Sequence, residues 1–308
     1  MFQKKKSGGF RLKLAWLGVF LALLIPVWFA ISALGVKFGF WDYQLGFGTM
    51  TRDWGGKAVL AGLAFGAVML LLGLLKAPRT KVIILSFLIL MICGLAMGRM
   101  LATQATAKSL PPIHDVQTDW SNPIRFTEQM MDERGEGSNP VLEDPKLPDF
   151  LNAMEAQFEK DKAEAQETAM SRFLWNAQKS LGMTSETFHW SGLAGKPVSE
   201  VQADAYPQLQ SLVVSDSAAD AYAAGIAVIE ELGFEFVSRS RDDGKIEATA
   251  SSRWFGFKDD VAIRIRTIEG NTVIDIRSIS RVGLSDLGAN AARVELMLEA
   301  LRERLTEI

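Results

Sequence analysis

Arg264, Arg266, Asp275, Arg277 and Arg281 fall within the single run DDVAIRIRTIEGNTVIDIRSISR. Residues two apart on a strand share a face. A face carrying several guanidiniums offers planar, bidentate donors to a carboxylate or phosphate. These five are therefore the candidate binding site for a polar or anionic ligand. A second polar cluster, His114, Asp115 and Asp119 with the Asp259-Asp260 pair, holds groups able to move protons in a hydrolysis if the fold gathers them in one cleft. Turn and cap roles explain the closely spaced His114, Asp115 and Asp119 better than metal ligation does, so no metal is assigned. The chain carries no nucleophile elbow, zinc-protease helix motif or Ser/His/Asp spacing, so no catalytic residue and no cofactor is assigned.

Alternation places these residues. Four strands are expected, over Phe234–Arg239, Lys245–Ser252, Asp260–Ile268 and Thr272–Val282, with turn chemistry at Asp242-Asp243-Gly244 and Gly270-Asn271. Ile246, Ala248, Ala250, Val261, Ile263, Ile265, Ile274 and Ile276 point to one face. Glu247, Thr249, Ser251, Arg253, Arg264, Arg266, Asp275, Arg277 and Arg281 point to the other. A two-residue turn at Gly270-Asn271 sets Arg266 opposite Asp275 and Arg264 opposite Arg277. The competing reading makes the charges architecture: the arginines pair with Glu247, Asp259, Asp260, Asp275 and Asp286 on a solvated sheet face.

A helix starting at Ser215-Asp216, with Tyr222, Ile226 and Ile229 on one side and Gly233 past its end, precedes the strands. A last helix starts near Ser285 or Asp286 and carries the stripe Leu287, Ala291, Val294, Leu298, Leu301, Leu305. Strands in series between helices imply an antiparallel sheet covered by helices on one face, an α+β domain. Further upstream, Asp149–Gly182 reads as one long helix with a dense charge run at its centre.

The N-terminal third differs in kind. Residues 1–107 carry 12 Lys and Arg against the acids Asp42 and Asp53, leaving 21 basic and 34 acidic residues in 108–308. An acidic domain of this balance is a poor partner for nucleic acid, whose binding rests on phosphate neutralisation. Leu14–Val36, Ala58–Leu75 and Val82–Gly98 are uncharged runs of 23, 18 and 17 residues, the length of membrane spans. The expected transmembrane region is 1–107, with helices at about 14–36, 58–75 and 82–100, followed by the α+β domain over 108–308. Gly62-x-x-x-Gly66 and Gly94-x-x-x-Gly98 suit close helix packing. Lys4, Lys5, Lys6, Arg11 and Lys13 precede the first helix, and Lys76, Arg79 and Lys81 follow the second. The positive-inside rule puts both flanks in the cytoplasm. Three crossings then leave the α+β domain outside, in the periplasm of a bacterial inner-membrane protein. The single Cys93 lies within an apolar run and allows no disulfide within the chain.

Ile113-His114-Asp115, Thr118-Asp119, Asn122-Pro123, Tyr206-Pro207, Glu247-Ala248-Thr249, Asp259-Asp260-Val261, Asp275-x-Arg277-Ser278 and the block Ser280-Arg281-Val282-Gly283-x-Ser285-Asp286-Leu287-Gly288-x-Asn290 form a set. Together they resemble the family called domain of unknown function 1499, over about 111–135 and 204–306. The resemblance leaves the membrane helices and a charged helical insertion at about 145–200 outside it, and it implies a domain without an assigned activity.

The expected protein is thus a multi-pass membrane protein displaying an extracytoplasmic binding module. Its expected partners are the lipid bilayer and either an envelope protein or an anionic small ligand. Two other functions fit the residues. One is a membrane-anchored hydrolase using His114/Asp115 and Asp259/Asp260. The other is a scaffold recruiting an envelope protein through the 149–182 helix.

Overall fold

The computed structural model describes residues 9–76, 79–180, 184 and 187–308. Lys4, Lys5 and Lys6 of the basic flank, and the Leu181-Gly182 end of the expected long helix, lie outside the described residues. The chain divides into a unit formed by Met1–Gln104 with Arg253–Gly256 and a unit formed by Ala105–Ser252 with Phe257–Ile308.

In the first unit, α1 (Phe10–Lys37), α2 (Gly56–Leu75) and α3 (Arg79–Ser109) are long and apolar enough to cross a membrane. Glycines let them approach. A Cβ on Gly62 of α2 would lie 2.5 Å from Cys93 Sγ of α3, and one on Gly66 would lie 3.0 Å from Leu90. The expected Gly94 and Gly98 pair packs differently: a Cβ on either would meet nothing within 4 Å among the described residues. Residues expected as an open loop instead form a π-helical segment, Gln44–Gly55, folded back on α1. Ser32 Oγ donates to Gly46 O at 2.6 Å and Trp28 Nε1 to Met50 O at 2.9 Å, satisfying carbonyls that a membrane interior would leave bare. The polar stretch after Gly98 is helical too, continuing α3 to Ser109, where Leu110 and Pro111 follow.

The second unit is an antiparallel α+β fold. In chain order it contains β1 (Asp115–Gln117), α4 (Glu128–Arg134), α5 (Phe150–Ala165), α6 (Ala169–Ser180), α7 (Val198–Ala205), β2 (Leu212–Val214) and α8 (Ala218–Glu231). Then come β3 (Glu235–Ser240), β4 (Lys245–Ser251), β5 (Lys258–Ile268), β6 (Asn271–Ser280) and α9 (Ala289–Arg302). The sheet runs β1-β6-β5-β4-β3, and β2 lies beside β6 on the same edge as β1. The expected four strands are present, shifted by one or two residues at their ends. The three-residue strands β1 and β2 are additions, too short for alternation to reveal.

Helices α8 and α9 cover the aliphatic face. Ile246, Val261, Ile263, Ile274 and Ile276 are fully buried with Val228, Val294 and Leu301, each such side chain contributing about 1.5–3 kcal/mol. The inner face of α8 joins the small residues Ala221, Ala224 and Gly225 to Val228 and the expected Ile229, while Tyr222 and Ile226 pack against the core partly buried. A Cβ on Gly225 would lie 2.8 Å from Ile246 Cδ1, so helix and sheet approach closely there. The cap of α8 is Ser217, whose Oγ accepts from Asp220 N at 3.1 Å, two residues beyond the expected start.

Two further expectations are corrected. The β5–β6 turn is Glu269-Gly270, with Ile268 paired to Asn271. Both turn residues take positive φ, 52° and 87°, as the tight hairpin twist demands. The register therefore moves: Arg264 faces Asp275, and Arg277 faces Ala262. The single helix expected over 149–182 is two helices, because Thr168 Oγ1 accepts from Ser171 N at 3.0 Å and starts α6 afresh. The excursion bearing them has a closed neck. Leu147 N donates to Lys196 O, and Gly195 N to Leu147 O, both at 2.9 Å.

Candidate functional site

The polar sheet face is covered, not open to solvent. The segment after β1 crosses it, burying Ile124, and α4 follows, burying Met130. Thr127 N donates to Glu247 Oε1 at 2.8 Å, and Asn139 Nδ2 donates to Ser280 O and Gly283 O. Under this cover Lys245 pairs with Glu247 at 3.0 Å, and the arginines form three ionic groups.

In the first, Arg277 Nε and Nη2 bind Asp115 Oδ1 and Oδ2 at 3.0 and 2.6 Å, a bidentate pair. The remaining donors of Arg277 meet the carbonyls of Ile124 at 2.6 Å and Leu142 at 2.7 Å. In the second, Asp260 receives Arg281 Nε at 2.9 Å, Arg134 Nη1 at 2.6 Å and Thr249 Oγ1 at 2.7 Å. In the third, Asp275 Oδ2 receives Arg264 Nη2 at 2.9 Å and Arg266 Nη2 at 2.7 Å, while Ser211 Oγ donates to its other oxygen. Arg266 Nη2 also reaches Asp119 Oδ2 at 3.0 Å. Most of the five candidate arginine and aspartate residues are thus held by carboxylates. Arg277, Arg281 and Asp275 are buried, while Arg264 and Arg266 are partly exposed.

The second candidate cluster is dispersed. His114 Nδ1 lies 3.2 Å from Leu284 O, whereas Asp115 is turned to Arg277 on the polar face. Asp259 and Asp260 alternate across the strand: Asp259 takes Arg293 Nη2 at 2.6 Å beside α9, and Asp260 lies on the opposite face. Among the described residues no three His, Cys, Asp or Glu side chains come close enough to hold a metal ion.

The Ser280–Asn290 block is structural knitting. Buried Asn290 accepts from Ser278 Oγ at 2.7 Å and donates to His114 O and Ser280 Oγ at 2.8 and 2.9 Å. Asp286 caps α9, accepting from Gly288 N and Asn290 N at 2.8 and 2.7 Å. Burial raises the Asp286 pKa above the usual carboxylate value, against those two backbone donors. Asp119 goes the other way. Burial opposes its charge, but hydrogen bonds from Ser121, the Asn122 amide and Arg266 outweigh burial and lower its pKa.

Beside Arg264 the covered face opens into a cleft of about 510 Å³ lined by Ser121, Asn122, Pro123, Arg125, Glu143 and Arg264. Arg125 is 81% exposed and paired only at the surface with Glu143. Sequence reasoning passes over Arg125, a lone charge between Ile124 and Phe126, and Arg134, which sits in the charged run 132–136 and looks like ordinary solvated surface. It also misses Gln202, whose Oε1 accepts from Gln117 N at 3.0 Å and from Trp120 Nε1 at 2.8 Å.

Three membrane-length helices leading into a sheet with one aliphatic face and one buried ionic face define a membrane protein with an α+β domain. Residues 115–301 match the family model described as "Protein of unknown function (DUF1499)", and the chain belongs to that family. No curated protein matches the chain.

Proposed function

We propose that this protein is a membrane-anchored binding module of the bacterial cell envelope. Its α+β domain takes a small ligand bearing a carboxylate or phosphate at the cleft between Arg125 and Arg264. One observation carries the reading: two guanidiniums from separate segments line one polar cleft. Arg264 is already oriented by Asp275, so little side-chain entropy is lost when it binds. The Arg125–Glu143 pair is exposed, and such pairs contribute little, so a ligand anion displaces Glu143 cheaply. Arg266, Arg277 and Arg281 do not line the cleft and serve the fold through Asp275, Asp115 and Asp260. The basic flanks Arg11, Lys13, Lys76, Arg79 and Lys81 support a cytoplasmic N-terminus, an inner-membrane location and a periplasmic domain.

The test is a melting curve of the purified full-length protein with increasing inorganic phosphate, and separately with citrate. The wild type gains stability, by about 2.7 kcal/mol at a hundredfold excess over Kd, and Arg125→Ala melts normally but loses the gain. If neither anion raises the wild-type Tm, or if Arg125→Ala keeps the full rise, the cleft is not the ligand site.

A further inference from the structure

Helix α6 buries no residue completely, and its apolar side chains are turned outward. At about 100° per residue, Phe173, Ala177, Met170 and Leu174 occupy one continuous arc of roughly 100°. Met170 is 67% exposed, Phe173 66% and Leu174 53%. The contact holding the helix is on another side, where the half-buried Trp175 meets the Phe158 ring of α5 at 6.2 Å. The apolar arc is therefore left without a covering element among the described residues.

Two observations identify what covers it. The first is charge. No acid occurs between Glu167 and Glu186, a stretch that carries Arg172 and Lys179 in an otherwise acidic domain. A short helix with a Phe/Leu/Met face and only basic charge matches an anionic bilayer surface. The second is position. Phe158 also meets Phe188 at 6.0 Å, Phe188 meets Trp190 at 6.1 Å, and Trp190 Nε1 donates to Leu110 O at 3.1 Å. This relay of aromatic rings joins α6 to Leu110, the residue that follows the membrane-length helix α3 in the chain.

We infer that α6 is an interfacial helix that lies on the anionic bilayer surface in which the protein is anchored, with Met170, Phe173 and Leu174 inserted among the headgroups. This is independent of the cleft, since no residue of α6 lines it.

The experiment uses the full-length chain in nanodiscs of mixed phosphatidylglycerol and phosphatidylcholine, and of phosphatidylcholine alone. In a Cys93→Ala background, Phe173→Cys and Asn176→Cys each carry an environment-sensitive fluorophore, and lipid-borne nitroxide quenches the label. Label at 173 is expected to be quenched about twofold or more beyond label at 176, and more strongly in the anionic discs. Hydrogen exchange on the unmodified chain gives a second readout, with the 169–180 amides better protected in anionic than in zwitterionic discs. Equal quenching at the two positions, or equal protection in the two lipids, overturns the inference. So does shielding of position 173 in detergent accompanied by a dimer mass, which would assign the arc to a second copy.

Discussion

Arg277 and Asp115 are joined through both guanidinium edge nitrogens and both carboxylate oxygens, with each side chain only 1% exposed. The pair links β6 to β1 beneath the covering segment, so neither charge has water to fall back on. Removing one partner strands the other. Arg277→Ala should lose about 3–5 kcal/mol, and Arg277→Met with Asp115→Leu should recover most of that loss. Denaturant unfolding of the full-length protein in detergent measures both.

Asp275 and Arg125 set a contrast within one region. Asp275 sits between Arg264 and Arg266, so Asp275→Asn leaves two guanidiniums sharing the more distant Asp119. It should cost about 3–5 kcal/mol. Arg125→Ala, at the exposed lip of the cleft, should stay within about 0.5 kcal/mol of wild type. The reverse order in melting curves would show that the cleft lip, not the buried Asp275, carries the fold.

Asp119 and Asp286 give pH dependences of opposite sign. The Asp119 pKa is lowered in the fold, so its contribution is present above the unfolded carboxylate value and is lost as pH falls through the folded one. Asp119→Asn should flatten the acid limb of the Tm–pH curve. The Asp286 pKa is raised, so its contribution is present below the unfolded value and fades as pH rises through the folded one. Asp286→Asn should flatten the curve above the ordinary carboxylate range.

Gly244 and Gly270 both close hairpins at positive φ, 59° and 87°, but their surroundings differ. A Cβ on Gly244 would lie 2.3 Å from Ile265 O, a backbone atom that cannot step aside, while one on Gly270 would meet nothing within 4 Å among the described residues. Gly270→Ala should cost about 1–2 kcal/mol from the left-handed backbone alone. Gly244→Ala should cost more, through the added clash. Parallel unfolding curves rank the two.

Orientation is checked by fusing reporters after residue 105. An exported phosphatase should be active there and a cytoplasmic reporter silent if the basic flanks set the orientation. The opposite pattern would place the α+β domain in the cytoplasm and end the envelope reading.

The three membrane-length helices and the aliphatic sheet face were legible because each is a long, regular pattern. Ile246, Ile263 and Ile276 alternate plainly, and charge is absent from the helix cores. The Arg264–Asp275 pairing was not legible, since it depends on which two residues form the turn. A non-glycine residue, Glu269, takes the left-handed position there, and moving the turn by one residue displaces every cross-strand pair. Partners far away in sequence were also hidden. Arg134 reaches Asp260 across 126 positions, and Gln202 reaches Gln117 across 85. Nothing local to either residue announces its partner. The arginine-rich face shows the same limit: alternation gives the face, but only the fold shows the segment that covers it.

The closed neck at Leu147 and Lys196 has an evolutionary consequence. Because the chain leaves and re-enters the domain at one point, growth or loss of sequence beyond the neck leaves the ladder of β6 with β1 and β2 in register. Doubling such a loop adds only about 0.6 kcal/mol of closure entropy. The neck is thus a port at which the attachment can change in length while the ionic groups behind it keep their partners.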